Sequence, residues 1–336
     1  MSSTVVAIAP VLLLLLTLVL MDSFKLVRPR AVAAAIAWGA AAAVAAAFIY
    51  ALILQRLPIA EGIVNRYLSP VTEETLKGIG VVYLIVRRRV GFPVDAAVLG
   101  FAIGAGFATV ENLQYLATLE GASILLWVVR GLGTAVLHGA TTSVAAMLAK
   151  TAVDRHRSSA LLVFGPAAAA AIGIHSAFNH LLLPPVAMTG LLLLVLPPLL
   201  IVVFERSERA TADWIGAGLD LDLEMLQLVT SEMFQHTRLG TYLEELRKRF
   251  PGPIVVDMFC LLRVELELSI QAKAVMMLRK EGLDAPIHPD TRRGLEELSA
   301  LERSIGKTGL LALGPLHVCT HRDDWHRYLL SARSSR

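Results

Sequence analysis

The sequence predicts an all-α polytopic membrane bundle of about seven spans, followed by a C-terminal cytoplasmic α-helical region. Three observations lead there. The 336 residues are 55% hydrophobic, with a mean hydropathy of +0.63, which is the composition of a chain embedded for most of its length. Apolar stretches long enough to cross a bilayer recur between Val5 and Phe204. Basic residues gather in alternate loops, as in a multi-pass protein of the cell membrane. The formal net charge of +3 is too small to point to nucleic acid. The contacts expected outside the chain are instead membrane lipid and proteins. The two cysteines, Cys260 and Cys319, do not make a disulfide framework.

The predicted spans follow in order. The first runs from Val5 to Met21 and lacks a preceding Lys or Arg, so it reads as a retained anchor rather than a signal peptide. The second is the alanine-rich Ala31 to Leu54, and the third the short Val71 to Val86. The fourth runs from Val94 to Tyr115. The fifth ends at Ala149. Its start is open: from Ser123 it holds Arg130 well inside the bilayer, whereas an interfacial or re-entrant piece from Ser123 to Val129 and a span from Gly131 leave that arginine as an anchor at the outer boundary. The sixth runs from Ala160 to Leu183. The seventh, Pro184 to Phe204, holds Pro197-Pro198 and is expected to kink or break there. The loops carrying Lys25, Arg28 and Arg30, then Arg87 to Arg89, then Lys150, Arg155 and Arg157, are the basic ones. The positive-inside rule then puts the N-terminus outside and the C-terminus in the cytoplasm.

Against this topology, polar residues inside the spans fall at one depth. Glu73, Glu74 and Lys77 lie in the opening turns of span three, after Ser69 as helix cap and Pro70 at the first helical position. Glu111 and Asn112 lie near the outer end of span four, His138 two turns in from Arg130, and His175 and Asn179 near the outer end of span six. At about 5.4 Å per turn, all belong to the outer third of the bilayer. Charged groups there are costly and need partners, so four helices converging on one polar cavity is the economical arrangement. Lys77 lies three and four residues from the two glutamates, on one face with them. Phe107 and Glu111 share a face, as do His175 and Asn179.

The set Glu73-Glu74-x-x-Lys77, Phe107-x-x-x-Glu111-Asn112, His138 and His175-x-x-x-Asn179 resembles the four motifs of the PrsW family of intramembrane proteases. That family belongs to a clan that includes the CAAX prenyl endopeptidases. The resemblance covers about Val71 to Leu183. Asn179 departs from it, since that motif often carries an acidic residue at this position. The resemblance implies an intramembrane endopeptidase that cuts a single-pass membrane protein near its extracytoplasmic side, for example an anti-sigma factor in regulated proteolysis.

The residue types suit peptide hydrolysis. Two adjacent carboxylates beside a lysine favour one ionised and one tuned group. Glu73 is assigned to activate water, Glu74 and Lys77 to set its charge, and Glu111 to orient the water. His175 and Asn179 are assigned to the oxyanion. Alternatively, Glu111, His138 and His175 supply three ligands to Zn2+, with Glu73 or Glu74 as base. No HExxH helix is present, so metal-dependent and metal-free activation both stand at this point. A proton- or ion-coupled transporter would use the same charges as a relay, but no internal repeat supports it. An inactive membrane scaffold is the third reading.

After Phe204 the chain turns polar and amphipathic, which divides it into a membrane domain, 1–204, and a cytoplasmic helical domain, 205–336. Helices are predicted over Leu221–His236, Thr241–Arg249, Ile254–Lys280 and Thr291–Leu311, with breaks at Pro251-Gly252-Pro253 and between Pro286 and Pro289. The third of these helices either packs within the domain or binds a protein partner. His317, Cys319, His321 and His326 lack a paired CxxC and read as a packed or solvated tail.

Overall fold

Every predicted membrane stretch forms a helix in the structure, a computed structural model that describes residues 2–22, 24, 27–87, 89–119, 121–155, 160–283, 290–314 and 330. Lys25, Arg88, Arg157, Pro286 to Pro289, and His317, Cys319, His321 and His326 lie outside the described residues. The chain divides into two compact units, Met1–Glu208 and Arg209–Arg336.

The first unit opens with α1 (Ser2–Met21) and α2 (Pro29–Arg56). A single turn, α3 (Glu61–Ile63), passes through a π-helical stretch, Val64–Leu68, into α4 (Ser69–Val86). Then come α5 (Pro93–Thr118) and α6 (Ile124–Val128). A second π-helical stretch, Val129–Thr134, joins α6 to α7 (Ala135–Arg155), and α8 (Ala160–Asn179) and α9 (Pro185–Thr230) follow. Among the described residues, five helices are long and apolar enough to cross a membrane: Ser3–Met21, Pro29–Arg56, Pro93–Thr118, Ile124–Asp154 and Pro185–Thr230. Helix α4 occupies the predicted third span, and its 18 residues carry Glu73, Glu74 and Lys77, charges that no plain apolar span holds.

Two of the stretches in question are continuous in helical hydrogen bonding. The helix does not break at Arg130; α6, the π-helical stretch and α7 run on as one rod. One wider turn absorbs the irregularity that the sequence shows as a charge between apolar segments. Nor does it break at Pro197-Pro198, which lie inside α9. Adjacent prolines remove only the two amides that would have bonded to the carbonyls of Leu193 and Leu194, and the turns on either side continue the helix.

Helix α5 is the centre of this unit and packs on α2 and α7. Ala97, Val98, Phe101, Ala102, Ile103, Ala105 and Ala108 on it are fully buried. Small residues make the approach close. A Cβ at Gly104 would stand 2.2 Å from the carbonyl oxygen of His138, which no relaxation of a side chain could relieve. Gly104→Ala is therefore expected to cost about 1–3 kcal/mol and to displace the turn that carries His138. The check is a lower thermal unfolding midpoint in detergent together with reduced turnover; an unchanged midpoint would contradict the close packing.

The second unit is helical in its described residues. It holds a 3-10 turn (Glu232–His236), α10 (Arg238–Leu246), α11 (Gly252–Lys280) and α12 (Asp290–Leu313). Thr237 caps α10 by accepting the Gly240 amide at 3.0 Å. α12 bends at Gly306, whose φ of 69° suits glycine. Helix α11 packs on α12, so part of its apolar surface is covered within the unit.

Candidate active site

Helix α4 brings three charges into the bundle within one turn, and all are buried: Glu73 is 5% exposed, Glu74 4% and Lys77 0%. His138 on α7 and His175 on α8 are 0% and 2% exposed. Groups of this kind hold their place in a dry interior only when they answer one another.

Glu74 is fully engaged as a support. Its Oε1 accepts from Lys77 Nζ at 2.6 Å and lies 2.7 Å from His175 Nδ1. A carboxylate has no hydrogen to give, so His175 donates from Nδ1 and turns its Nε2 toward the cavity. Lys77 also reaches His138 Nδ1 at 3.0 Å and lies 4.9 Å above the Phe107 ring. The two imidazoles meet edge to face, 4.9 Å between centroids.

Glu73 differs from its neighbour. Its Oε1 accepts from the hydroxyl of Tyr50 at 3.1 Å. Its Oε2 is buried and has no hydrogen-bond partner among the described residues. That oxygen lies 4.0 Å from Nε2 of His138 and 4.0 Å from Nε2 of His175. The three ligand atoms fall within 4.8 Å of one another. The unpartnered carboxylate oxygen faces two imidazole Nε2 atoms. His175, whose Nδ1 donates to Glu74, has the support of a zinc ligand; His138 accepts from Lys77 on Nδ1 and shares its Nε2 hydrogen with Glu111, so it joins the donor set only when that hydrogen leaves.

The donor atoms that cluster are those of Glu73, His138 and His175, where the predicted set had Glu111 in place of Glu73. Glu111 Oε2 lies 3.2 Å from His138 Nε2, but the same oxygen is also 3.2 Å from Arg130 Nη2, and its side chain is 20% exposed, the most open of the four carboxylate and imidazole groups around His138. Asn179 is tied to the stretch ahead of α4. Its Nδ2 donates to the carbonyl of Asn65 at 2.8 Å, and Ser176 donates to that of Arg66 at 2.7 Å. Together they clamp the π-helical stretch ahead of α4, where a widened turn leaves carbonyls free to accept. The sequence does not show this contact, because helical spacing from His175 says which face a residue shares and not how near the end of α8 passes to residues 64–68.

Two residues of the site escape sequence reasoning. Tyr50 holds Glu73 from α2, and Arg130 holds Glu111. A tyrosine deep in an alanine-rich helix needs a partner for its hydroxyl, which is the signal that marks Tyr50. Arg130 carries the signal of a charge among apolar residues, read above as an interfacial anchor.

No curated protein and no solved structure matches the chain. A family model described as PrsW family intramembrane metalloprotease matches residues 28–204. The matched residues include every helix that supplies a side chain to the cavity, and they make up more than half of the chain. This multi-pass membrane protein therefore belongs to the PrsW family, a family of intramembrane proteases.

Proposed function

We propose that the protein is a metal-dependent intramembrane endopeptidase in which Glu73, His138 and His175 hold a zinc ion and Glu111 moves the proton of the attacking water. The observation that carries this reading is the buried, unpartnered Glu73 Oε2 facing both imidazole Nε2 atoms. Zinc bound there would polarise the scissile carbonyl and bring the pKa of a bound water to about 7.

The chain's own residues set up the rest. Glu74 and Lys77 fix the ring orientations of His175 and His138, which keeps both Nε2 atoms aimed inward. Glu74 is held by Lys77 and His175 through Oε1, and its side chain is 1% exposed, so it serves as a support behind the cavity. Glu111 is the carboxylate left at the rim, within hydrogen-bond reach of the His138 edge of the cavity, and is placed to take a proton from water and return it to the leaving amine. Buried surroundings strengthen each of these interactions.

Seven spans, with α4 and α8 added to the five apolar helices, and the basic loops on the cytoplasmic side agree with a site near the extracytoplasmic face. The substrate is then a single-pass membrane protein, cut near its extracytoplasmic end; an anti-sigma factor would be one such protein.

The test is cleavage in liposomes of a doubly labelled peptide with one apolar span of about 21 residues, by the full-length wild type and by His175→Ala. Wild type should cut; chelator should abolish the reaction and added zinc restore it; the variant should lose on the order of 10³-fold in rate. Cleavage indifferent to chelator would overturn the metal assignment. Equal cleavage by the variant would overturn the site.

A further inference from the structure

Arg130 connects more of this site than its place between two apolar segments suggests. Its Nε donates to Asn112 Oδ1 at 2.9 Å, its Nη2 pairs with Glu111 Oε2 at 3.2 Å, and its guanidinium lies 3.6 Å from the centroid of the Tyr115 ring. Glu111, Asn112 and Tyr115 all lie on the last turns of α5. The guanidinium thus holds that end of the helix by one hydrogen bond, one ion-pair contact and one stacked face, and its side chain is only 12% exposed. A planar fork with a stackable face makes such a grip; an ammonium would not. The π-helical stretch that contains Arg130 provides the wider turn from which the side chain projects.

The grip is anchored on its far side. Asn112 is 1% exposed, and its Nδ2 donates to the carbonyl of Ala7 on α1 at 2.7 Å. One residue after Arg130, a Cβ at Gly131 would stand 2.0 Å from the carbonyl of Val6, so α1 and the π-helical stretch meet backbone to backbone. Ala7, Val11, Leu15 and Leu18 of α1 are buried. Helix α1 precedes residue 28, where the family match begins. A chain of contacts therefore runs from α1 through Asn112 and Arg130 to Glu111, and from Glu111 Oε2 to His138 Nε2.

We propose that Arg130 is a positioning residue of the peptidase site, sharing the Glu111 carboxylate with His138 and so limiting its hold on the Nε2 atom that Glu73 also faces. This rests on the proposed peptidase function. Without Arg130, Glu111 would keep a buried charge whose nearest remaining partner is His138, and it would compete with Glu73 there. The action passes through Glu111, so it predicts coupling between the two residues rather than a general loss of structure.

The test is a double-mutant cycle on the full chain in liposomes, with Arg130→Gln, Glu111→Gln and both together, plus Arg130→Lys. Two quantities are read: kcat and KM on the single-span peptide, and zinc affinity by competition with a chromophoric chelator. Arg130→Gln should lower kcat and zinc affinity each by about 10- to 100-fold with KM nearly unchanged, as removal of a supporting contact does. Arg130→Lys should recover only part, because a lysine cannot make the forked and stacked contact. The double variant should be no more than about threefold worse than Glu111→Gln alone. Removing both charges also avoids leaving either one buried alone, so this variant should fold where Arg130→Gln is weak. Multiplicative losses in the double variant, or wild-type values for Arg130→Gln, would overturn the proposal while leaving the peptidase function intact. Wild-type protein that neither cuts the peptide nor binds zinc would overturn both.

Discussion

Glu73→Gln is expected to abolish turnover while leaving the fold as stable as the wild type or more so. The substitution is isosteric and keeps an oxygen for the Tyr50 hydroxyl, which now rests on Oε1 at 3.1 Å. What it removes is the charge on a carboxylate whose Oε2 is buried without a hydrogen-bond partner. Burying such a group costs folding free energy, and its neutral amide counterpart costs less. The same charge is one of the three groups poised around a common point with His138 and His175. Cleavage of the single-span peptide should fall by on the order of 10³-fold, with zinc affinity falling in parallel. The thermal midpoint in detergent should hold or rise, the signature of a residue kept for function at the expense of stability. Turnover near the wild-type rate would remove Glu73 from the site. A collapsed midpoint would instead make it a structural residue.

Lys77→Met should have the opposite profile, with stability lost first. Lys77 is 0% exposed and reaches both Glu74, at 2.6 Å, and His138, at 3.0 Å. Methionine fills a similar volume but leaves Glu74, with a side chain 1% exposed, without its ammonium partner. Removing one member of a buried ion pair costs about 3–5 kcal/mol, because the other charge is left uncompensated. Pairing the change with Glu74→Gln removes that charge and should recover much of the loss. Denaturant titration in mixed micelles would read both. Recovery of stability without recovery of turnover is the expected pattern, since Glu74 also aligns His175 through Nδ1. If Lys77→Met alone unfolds at the wild-type midpoint, the ion pair contributes nothing and the buried network is not what holds α4 in place.

These two variants separate roles that adjacent, chemically alike residues conceal. Glu73 and Glu74 are both acidic, both buried and next to each other in one helical turn. Helical geometry turns them about 100° apart, so one faces Tyr50 and the imidazole edges while the other faces Lys77 and the back of His175. The sequence presents them as a pair with Glu73 assigned to the water; what each one touches is set by the side of α4 that each neighbouring helix covers.

The same contrast runs through the rest of the chain. Apolar length and helical spacing are local properties, so the helices, the shared face of Glu73 and Lys77, and the convergence of α4, α5, α7 and α8 on His138 and His175 were legible from the residues alone. The widened turns at 64–68 and 129–134 were not, since a π-helical stretch depends on what its freed carbonyls and displaced side chains meet: Asn179 and Ser176 at the first, Asn112 and Glu111 at the second. Nor was the continuity of α9 through Pro197-Pro198, which depends on surroundings that offer its backbone no other partner.

By itself, then, the sequence determined a helical membrane protein with four polar motifs on four helices at one depth, because hydrophobic length and the 3.6-residue repeat are written along the chain. Only the tertiary structure decided which carboxylate oxygen faces both imidazoles, that Asn179 bonds the turn at Asn65, and that Arg130 pairs with Glu111. Each of those is a matter of distances between helices far apart in sequence, which no local period encodes.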